Sequence, residues 1–318
     1  MNLKEKLEKY VPQAGVAQLS SASVSSDSLA SQWERRTHLF PLEHAHGLFP
    51  LDRLAGRFSA HARLLLPRFA EETIEFQRIA FIDTETTGLS GGVGVCAFLV
   101  GIGSMTSAGF AVEQFLMHDY PAERGMLENV LERLAQFDLI ASYNGRSFDL
   151  PILEGRLVLT GIRSRITEKA HIDILHFARC LWKHRLNDRS LKSVEAQILG
   201  FQREDDIEGW LIPQAYFSYL RTRERHLLEQ ILHHNRLDLL SLACITNLAL
   251  KSVDFPRQAP LEHGEDWYGL GTFFELHRLA DEAAYCFKRG MQAGLPESLG
   301  RKCRRNLSLA HKRAGNWD

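Results

Sequence analysis

The feature that most constrains this chain is the stretch Phe81-Ile82-Asp83-Thr84-Glu85-Thr86-Thr87-Gly88. The apolar run from Ile79 to Ile82 reads as a short buried strand. That strand then delivers two acids separated by a single threonine and ends in Thr-Thr-Gly. Side chains alternate along a strand, so Asp83 and Glu85 point to one face. At roughly 3.3 Å per residue their Cα atoms lie about 7 Å apart. This suits two carboxylates that grip a pair of metal ions about 3.5–4 Å from each other. Taken alone, Asp-x-Glu is equally a polar strand end running into a turn, so the reading depends on partner acids downstream.

Two such partners exist. The segment Tyr143-Asn144-Gly145-Arg146-Ser147-Phe148-Asp149 follows a strand predicted over 138–142 and puts Asp149 where a helix begins. In sheets flanked by helices, sites gather at the C-terminal ends of strands, although Asp149 also fits a helix cap and Asn144 a turn. Further on, a long apolar-periodic helix is predicted over 224–251, with Asp238 set among Leu237, Leu239, Leu240 and Leu242. A carboxylate there is costly to bury unless it is paired or metal-bound. His234 lies one helical turn before Asp238 on the same face. His233 is turned away by about 100°.

The elements around these acids alternate in type. Strands are predicted over 95–103 and 110–118, a helix over 121–136 with Met126, Leu127, Val130, Leu131 and Leu134 at helical spacing, a helix over 148–159, and a last strand at 172–174 leading to a helix through Trp182. A meander followed by strand–helix alternation argues for an α/β fold: a mixed sheet with helices on its faces. The glycine-rich run Gly88-Leu89-Ser90-Gly91-Gly92-Val93-Gly94 lacks a phosphate-loop pattern and reads as a hairpin connection. Residues 1–37 are expected to be a flexible segment, with a short helix over 1–10 and a serine-rich low-complexity stretch at 20–28. Residues 38–75 are expected to be an irregular segment packed on the core, with His44 and His46 in packing or solvated roles.

Composition narrows the class. A chain of 318 residues has room for one large domain plus an appendage, and 45% hydrophobic with 24% charged residues is ordinary for a globular protein. No apolar run is long enough to span a membrane, and the charged start Met1-Asn2-Leu3-Lys4-Glu5-Lys6 is not a secretory signal. Five scattered cysteines without Cys-x-x-Cys point to reduced thiols and a cytoplasmic setting. With a net charge of −1, any nucleic-acid surface must be a local patch. The candidate patch is the basic middle with Arg156, Arg163, Arg165, Lys169, Arg179, Lys183, Arg185, Arg189 and Lys192, where Trp182 and Tyr143 are candidate base-stacking side chains.

With these blocks in hand, the chain resembles the DEDD exonucleases of the ribonuclease-H-like superfamily: Asp83-x-Glu85 with Thr86-Thr87-Gly88, Asn144-x-x-x-Phe148-Asp149, and His-x-x-x-Asp. More narrowly it is similar to the bacterial YprB-type ribonuclease-H-like family, in Gln114-Phe115-Leu116, His171-x-Asp173-Ile174-Leu175, Leu191-Lys192-Ser193-Val194-Glu195 and His234-Asn235-x-x-Asp238. The resemblance implies a mixed five-stranded sheet flanked by helices, with a nuclease domain over 76–252. It implies two Mg²⁺ or Mn²⁺ ions held by Asp83, Glu85, Asp149 and Asp238. The implied activity is 3′-5′ exonucleolytic hydrolysis of DNA or RNA from a single-stranded end, releasing 5′-phosphorylated nucleotides. His234 is expected as the base, with His233 as the alternative, and Asp173 in a supporting role. Thr86, Thr87, Gly88, Leu89, Tyr143, Asn144 and Phe148 are the implied substrate contacts. A structure-selective endonuclease or RNA-processing nuclease with the same site is the first alternative, and a non-catalytic nucleic-acid-binding adaptor is the second.

The C-terminal part, 264–318, is a helical segment in sequence pattern. Trp267-x-x-Leu270-Gly271-x-x-Phe274, Ala283-x-x-x-Phe287 and Pro296 follow the tetratricopeptide pattern, with Phe for Tyr and the proline displaced by one. A second helix pair starts near Leu299. One repeat cannot bury its faces alone, so it either docks on the preceding domain or belongs to an array, and such surfaces bind protein partners.

Overall fold

The computed structural model describes residues 33–59, 61–66, 73–88 and 94–313. The helix expected over 1–10, the serine-rich stretch at 20–28 and the proposed substrate contact Leu89 lie outside these residues. A six-stranded mixed sheet is the centre of the molecule. Its strands are β1 (Trp33–Pro41), β2 (Ile79–Thr86), β3 (Ala97–Thr106), β4 (Gly109–Met117), β5 (Leu139–Ser142) and β6 (Ala170–Asp173), in the spatial order β1-β4-β3-β2-β5-β6. β1 to β4, β4 to β3 and β3 to β2 are antiparallel; β2 to β5 and β5 to β6 are parallel. The meander-then-alternation pattern read from the sequence is therefore the observed ribonuclease-H-like topology, with one strand more than the expected five.

That extra strand is β1. Residues 33–41 are neither flexible nor irregular; they pair with β4 from Trp33↔Met117 to Pro41↔Gly109. The sequence Trp-Glu-Arg-Arg-Thr-His-Leu-Phe-Pro hides this because charges occupy positions where an inner strand would alternate. On an edge strand such charges guard against stray pairing. Here they are also used: Arg35 pairs with Glu113 of β4, and Arg36 with Glu34 and Glu229 at 2.7 Å each.

Nine helices follow in the described residues: α1 (Glu123–Leu134), α2 (Asp149–Leu159), α3 (Ile174–Leu181), α4 (Leu191–Val194, running into a π-helical turn Glu195–Leu199), α5 (Ile212–Thr222), α6 (His226–Asp254), α7 (Gly264–Leu276), α8 (Ala280–Ala293) and α9 (Glu297–Arg313). The alternation of β2 sorts its side chains into two cores. Ala80 and Ile82 pack in the core shared with α1, α2 and α5. Ile79 and Phe81 pack in the core shared with α3, with the C-terminal half of α6 and with α7 and α8. Asp83 and Glu85 have the parity of Phe81, so they emerge on the α6 side.

The C-terminal helices dock on the sheet domain. Phe177 of α3 meets Phe273 of α7 edge-on at 5.5 Å between ring centres, and Arg185 pairs with Asp266 at 2.6 Å. A Cβ on Gly269 would lie 2.2 Å from the Leu181 carbonyl oxygen, so only glycine lets α7 approach α3 this closely. Trp267, Phe274 and Phe287 belong to the same continuous core as Phe81 and Ile172. The five cysteines are unpaired thiols. Among the described residues no helix is long and apolar enough to cross a membrane.

Candidate active site

Asp83 is held by a hydrogen-bonded relay that reaches across the sheet. Asn235 of α6 donates from Nδ2 to Asp83 Oδ2 at 2.8 Å, and Asn235 Oδ1 accepts from Gln114 Nε2 at 2.8 Å. Gln114 also donates to the Leu232 carbonyl at 2.8 Å, so the α6 backbone fixes its amide. Between them, opposite Asp83 in the β2–β3 register, stands Gly101. A Cβ there would fall 2.3 Å from Asn235 Oδ1 and 2.7 Å from Leu239 Cδ1. Gly101→Ala is therefore expected to destabilise the fold by about 1–3 kcal/mol, and to weaken divalent-cation binding because Asn235 is pushed off Asp83. Urea unfolding and a Mn²⁺ titration check the two effects.

Asp149, the first residue of α2, is joined to the same strand from the other side. Its Oδ1 accepts from the Thr84 amide at 3.1 Å and from Thr84 Oγ1 at 2.5 Å. Burial pushes its pKa up, the Thr84 hydrogen bonds pull it partly back, and it settles at about 6. Asp83 is raised well above the usual carboxylate range by burial, then by the Asp238 and Asp149 charges, with Asn235 offsetting part of the shift. Glu85 is raised by burial and then by Asp83, Asp238 and Asp149. The four acids are thus one electrostatic cluster, in which ionisation of Asp83, Glu85 and Asp149 is opposed until positive charge arrives.

Asp238 and His234 sit in a second network. Arg203, with its side chain 2% exposed, hydrogen-bonds both Asp238 Oδ1 and Glu195, and reaches Asp206 at 3.2 Å. His234 Nδ1 lies 2.7 Å from Asp206 Oδ1 and, more distantly, 3.3 Å from Arg203 Nη1. The shorter, charge-assisted contact makes Nδ1 the donor. Nε2 is then the ring nitrogen turned to the acids, 3.5 Å from Asp238 Oδ2. Burial penalises the imidazolium, but Asp238 and Asp206 outweigh it and lift the His234 pKa above the usual histidine range. The His233 side chain is exposed, and partial desolvation on the helix surface together with the nearby Arg236 lowers its pKa. One helical residue of rotation separates a histidine in the cluster from one outside it.

Glu85, His234 and Asp238 offer donor atoms that all lie within 4.8 Å of one another. The two carboxylates of this set fit a divalent cation, and the imidazole lies beside them, within reach of a water such an ion would hold. Asp83 and Asp149 reach the cluster electrostatically while each has an oxygen committed to a neighbour.

The other expected contacts divide. Thr86 Oγ1 donates to the Gly88 carbonyl at 2.7 Å, and Thr87 is joined to Cys96 by its amide and its hydroxyl at 2.9 Å each, so both threonines close the β2–β3 connection. Asn144 is exposed with a φ of 67°, and its amide donates to Asp173 at 2.8 Å. Asp173 also accepts from the amides of Arg146 and Leu175, which is a loop-organising role. Tyr143 donates to the Arg189 carbonyl at 2.5 Å and Phe148 packs against the core shared with α1, α2 and α5. Trp182 is 0% exposed and cannot stack on a base. Arg156 and Arg185 of the expected basic patch are paired with Glu123 and Asp266. His46 is buried against Ser241, at 2.6 Å.

Comparison with known proteins places the chain in a class. The RNase_H superfamily profile RNase_H_2 matches residues 80–250, more than half of the chain. The chain belongs to the RNase_H superfamily. It is 32% identical over 276 residues to the uncharacterized protein YprB of Bacillus subtilis (strain 168), covering 86% of this chain but 66% of that relative, so it spans just under two thirds of the relative's length. A family B DNA polymerase from the archaeon Pyrobaculum calidifontis matches 63% of this chain and 29% of its own, at 14% identity and a TM-score of 0.42.

Proposed function

We propose that this protein is a metal-dependent nuclease that removes nucleotides from the 3′ end of DNA or RNA. The observation that carries the reading is the convergence of Asp83, Glu85, Asp149 and Asp238 with His234 at the C-terminal end of β2, in a superfamily of nuclease-like domains. Among the described residues, six carboxylates (these four with Glu195 and Asp206) meet Arg203 and His234 here, a balance that calls for added positive charge. Asp83, Glu85, Asp149 and Asp238 would hold two divalent ions, Mg²⁺ or Mn²⁺ by the hardness of carboxylate oxygen, which when bound supply Lewis-acid stabilisation of phosphoryl oxygens and an acidified water.

The chain's own groups have distinct tasks. His234 Nε2 takes up the proton of the attacking water, and Asp206 fixes the ring and stabilises the imidazolium that forms. Arg203 anchors Asp238 and Asp206 together, so base and carboxylate keep one geometry. Asn235 and Thr84 hold Asp83 and Asp149 against their mutual repulsion.

A pH dependence follows. A carboxylate whose pKa is raised by folding favours the folded state most below its unfolded pKa, and that benefit is lost as pH rises through the folded value, about 6 for Asp149. Metal-free protein therefore loses stability as pH rises through 6, and a divalent cation restores it. The thermal shift produced by Mn²⁺ is expected to be larger at pH 8 than at pH 5; scanning calorimetry at both values checks this.

Linear oligonucleotides labelled at either end, together with a closed single-stranded circle, test the activity. The expected result with Mn²⁺ is stepwise loss of nucleotides from the 3′ end with the circle intact. Cleavage of the circle at a similar rate would replace the exonuclease reading with an endonuclease, and no hydrolysis with either ion would remove the nuclease reading.

A further inference from the structure

The aromatic side chains placed for base stacking are not those of the basic middle. We propose that a groove beside the candidate active site binds the single-stranded end of a nucleic-acid substrate by stacking its bases on Trp210, Tyr120 and Phe217. The proposal rests on the nuclease reading of the adjacent acids and names the path by which the strand reaches them. The groove holds about 760 Å³ and is lined by these three rings together with Gly88, Leu220 and Arg221, among others.

Four observations support it. First, the rings are 45%, 46% and 39% exposed, a contiguous apolar surface of a kind that marks a binding site. Second, α5 is anchored to the sheet mainly by its other face. Its opposite face buries Ile212, Ala215, Tyr216 and Tyr219, and Tyr216 stacks flat on Phe98 of β3, at 3.7 Å and 6°, while donating to the Met117 carbonyl at 3.0 Å. Phe217 is thus carried outward on a helix already fixed to the sheet, Leu220 lies between the groove and the core, and the Trp210 indole is held by Glu208. Third, the groove reaches the end of the strand that carries the acids: its lining includes Gly88, three residues beyond Glu85 in the chain, just past the end of β2. Fourth, among the described residues its one charged lining side chain is Arg221, which makes no ion pair there and can meet a phosphate. Aromatic faces with a lone cation at the mouth of an acidic site fit a single strand: stacking accepts any base, and the cation offsets the repulsion between phosphates and carboxylates.

The test uses the full chain and four variants: Trp210→Ala, Phe217→Ala, their combination, and Trp210→Phe. Binding of fluorescein-labelled oligothymidylate and oligouridylate is read by anisotropy in Ca²⁺. Turnover in Mn²⁺ is read on the same strands and on p-nitrophenyl thymidine 5′-monophosphate, a phosphodiester too small to reach the groove. The expected result is at least ~10-fold weaker strand binding for the double variant, most of the affinity kept by Trp210→Phe, and a fall of similar size in the ratio of strand turnover to ester turnover. Strand affinity and turnover ratio within twofold of wild type would overturn the proposal and leave this face to another occupant, such as a protein partner. A wild-type protein that hydrolyses neither substrate would remove the nuclease reading, while the anisotropy series would still decide the groove. The side chains are exposed, so the variants are expected to keep the wild-type thermal midpoint, which circular dichroism checks.

Discussion

Glu85→Gln is expected to lower Mn²⁺-dependent hydrolysis at least ~1000-fold while making the metal-free protein more stable. Both effects have one cause. Glu85 has its pKa raised by burial and by the charges of Asp83, Asp238 and Asp149, so its ionised form is paid for by the rest of the fold. Two unit charges about 5 Å apart in an effective dielectric near 20 repel by about 3 kcal/mol, of which solvent and relaxation return part. The neutral amide removes that repulsion and replaces one of the two carboxylate donors of the set within 4.8 Å by a weaker, uncharged oxygen. A gain of about 1 kcal/mol corresponds to about 2 °C or more in thermal midpoint. The gain is expected at pH 8 and should vanish near pH 4, where the wild-type carboxyl is itself neutral. Calorimetry without metal and initial rates with Mn²⁺ measure the two halves separately.

Arg203→Met is expected to be the most destabilising single change near the site, by about 3–5 kcal/mol. The guanidinium joins Glu195, Asp206 and Asp238, and its side chain is 2% exposed. Removing it leaves Glu195 and Asp206 buried without their cation, at 1% and 3% side-chain exposure, and frees Asp238 and Asp206 to move apart. Glu195, whose pKa burial already raises against the pull of Arg203, would be driven to protonate. Adding Glu195→Gln to Arg203→Met should therefore recover part of the loss, because the second change removes a stranded charge. Urea midpoints for the wild type, both single variants and the pair give the coupling directly. Additive effects would contradict the network.

The parts of the site that were legible in the sequence were those set by local periodicity. Strand alternation put Asp83 and Glu85 on one face, and the helical phase of α6 separated His234 from His233. Asn235 was visible only as a neighbour of His234, since its reach to Asp83 depends on Gly101 in another strand. Arg203 and Asp206 carried no spacing signal at all: they sit between helices and meet Asp238 and His234 only once α4 and α6 are packed. The edge strand β1 was hidden by its charges. Aromatic identity was an equally poor guide, because nothing local distinguishes Trp182, sealed in the core, from Trp210, open at the groove.

The most direct test of the metal-dependent nuclease assignment compares wild type with Asp83→Ala on a 5′-labelled single strand in Mn²⁺, with circular dichroism confirming that both are folded. The wild type should shorten the strand from its 3′ end only when the ion is present, and the variant should leave it at full length. Equal shortening by the two proteins would contradict the assignment of the acids as the catalytic centre.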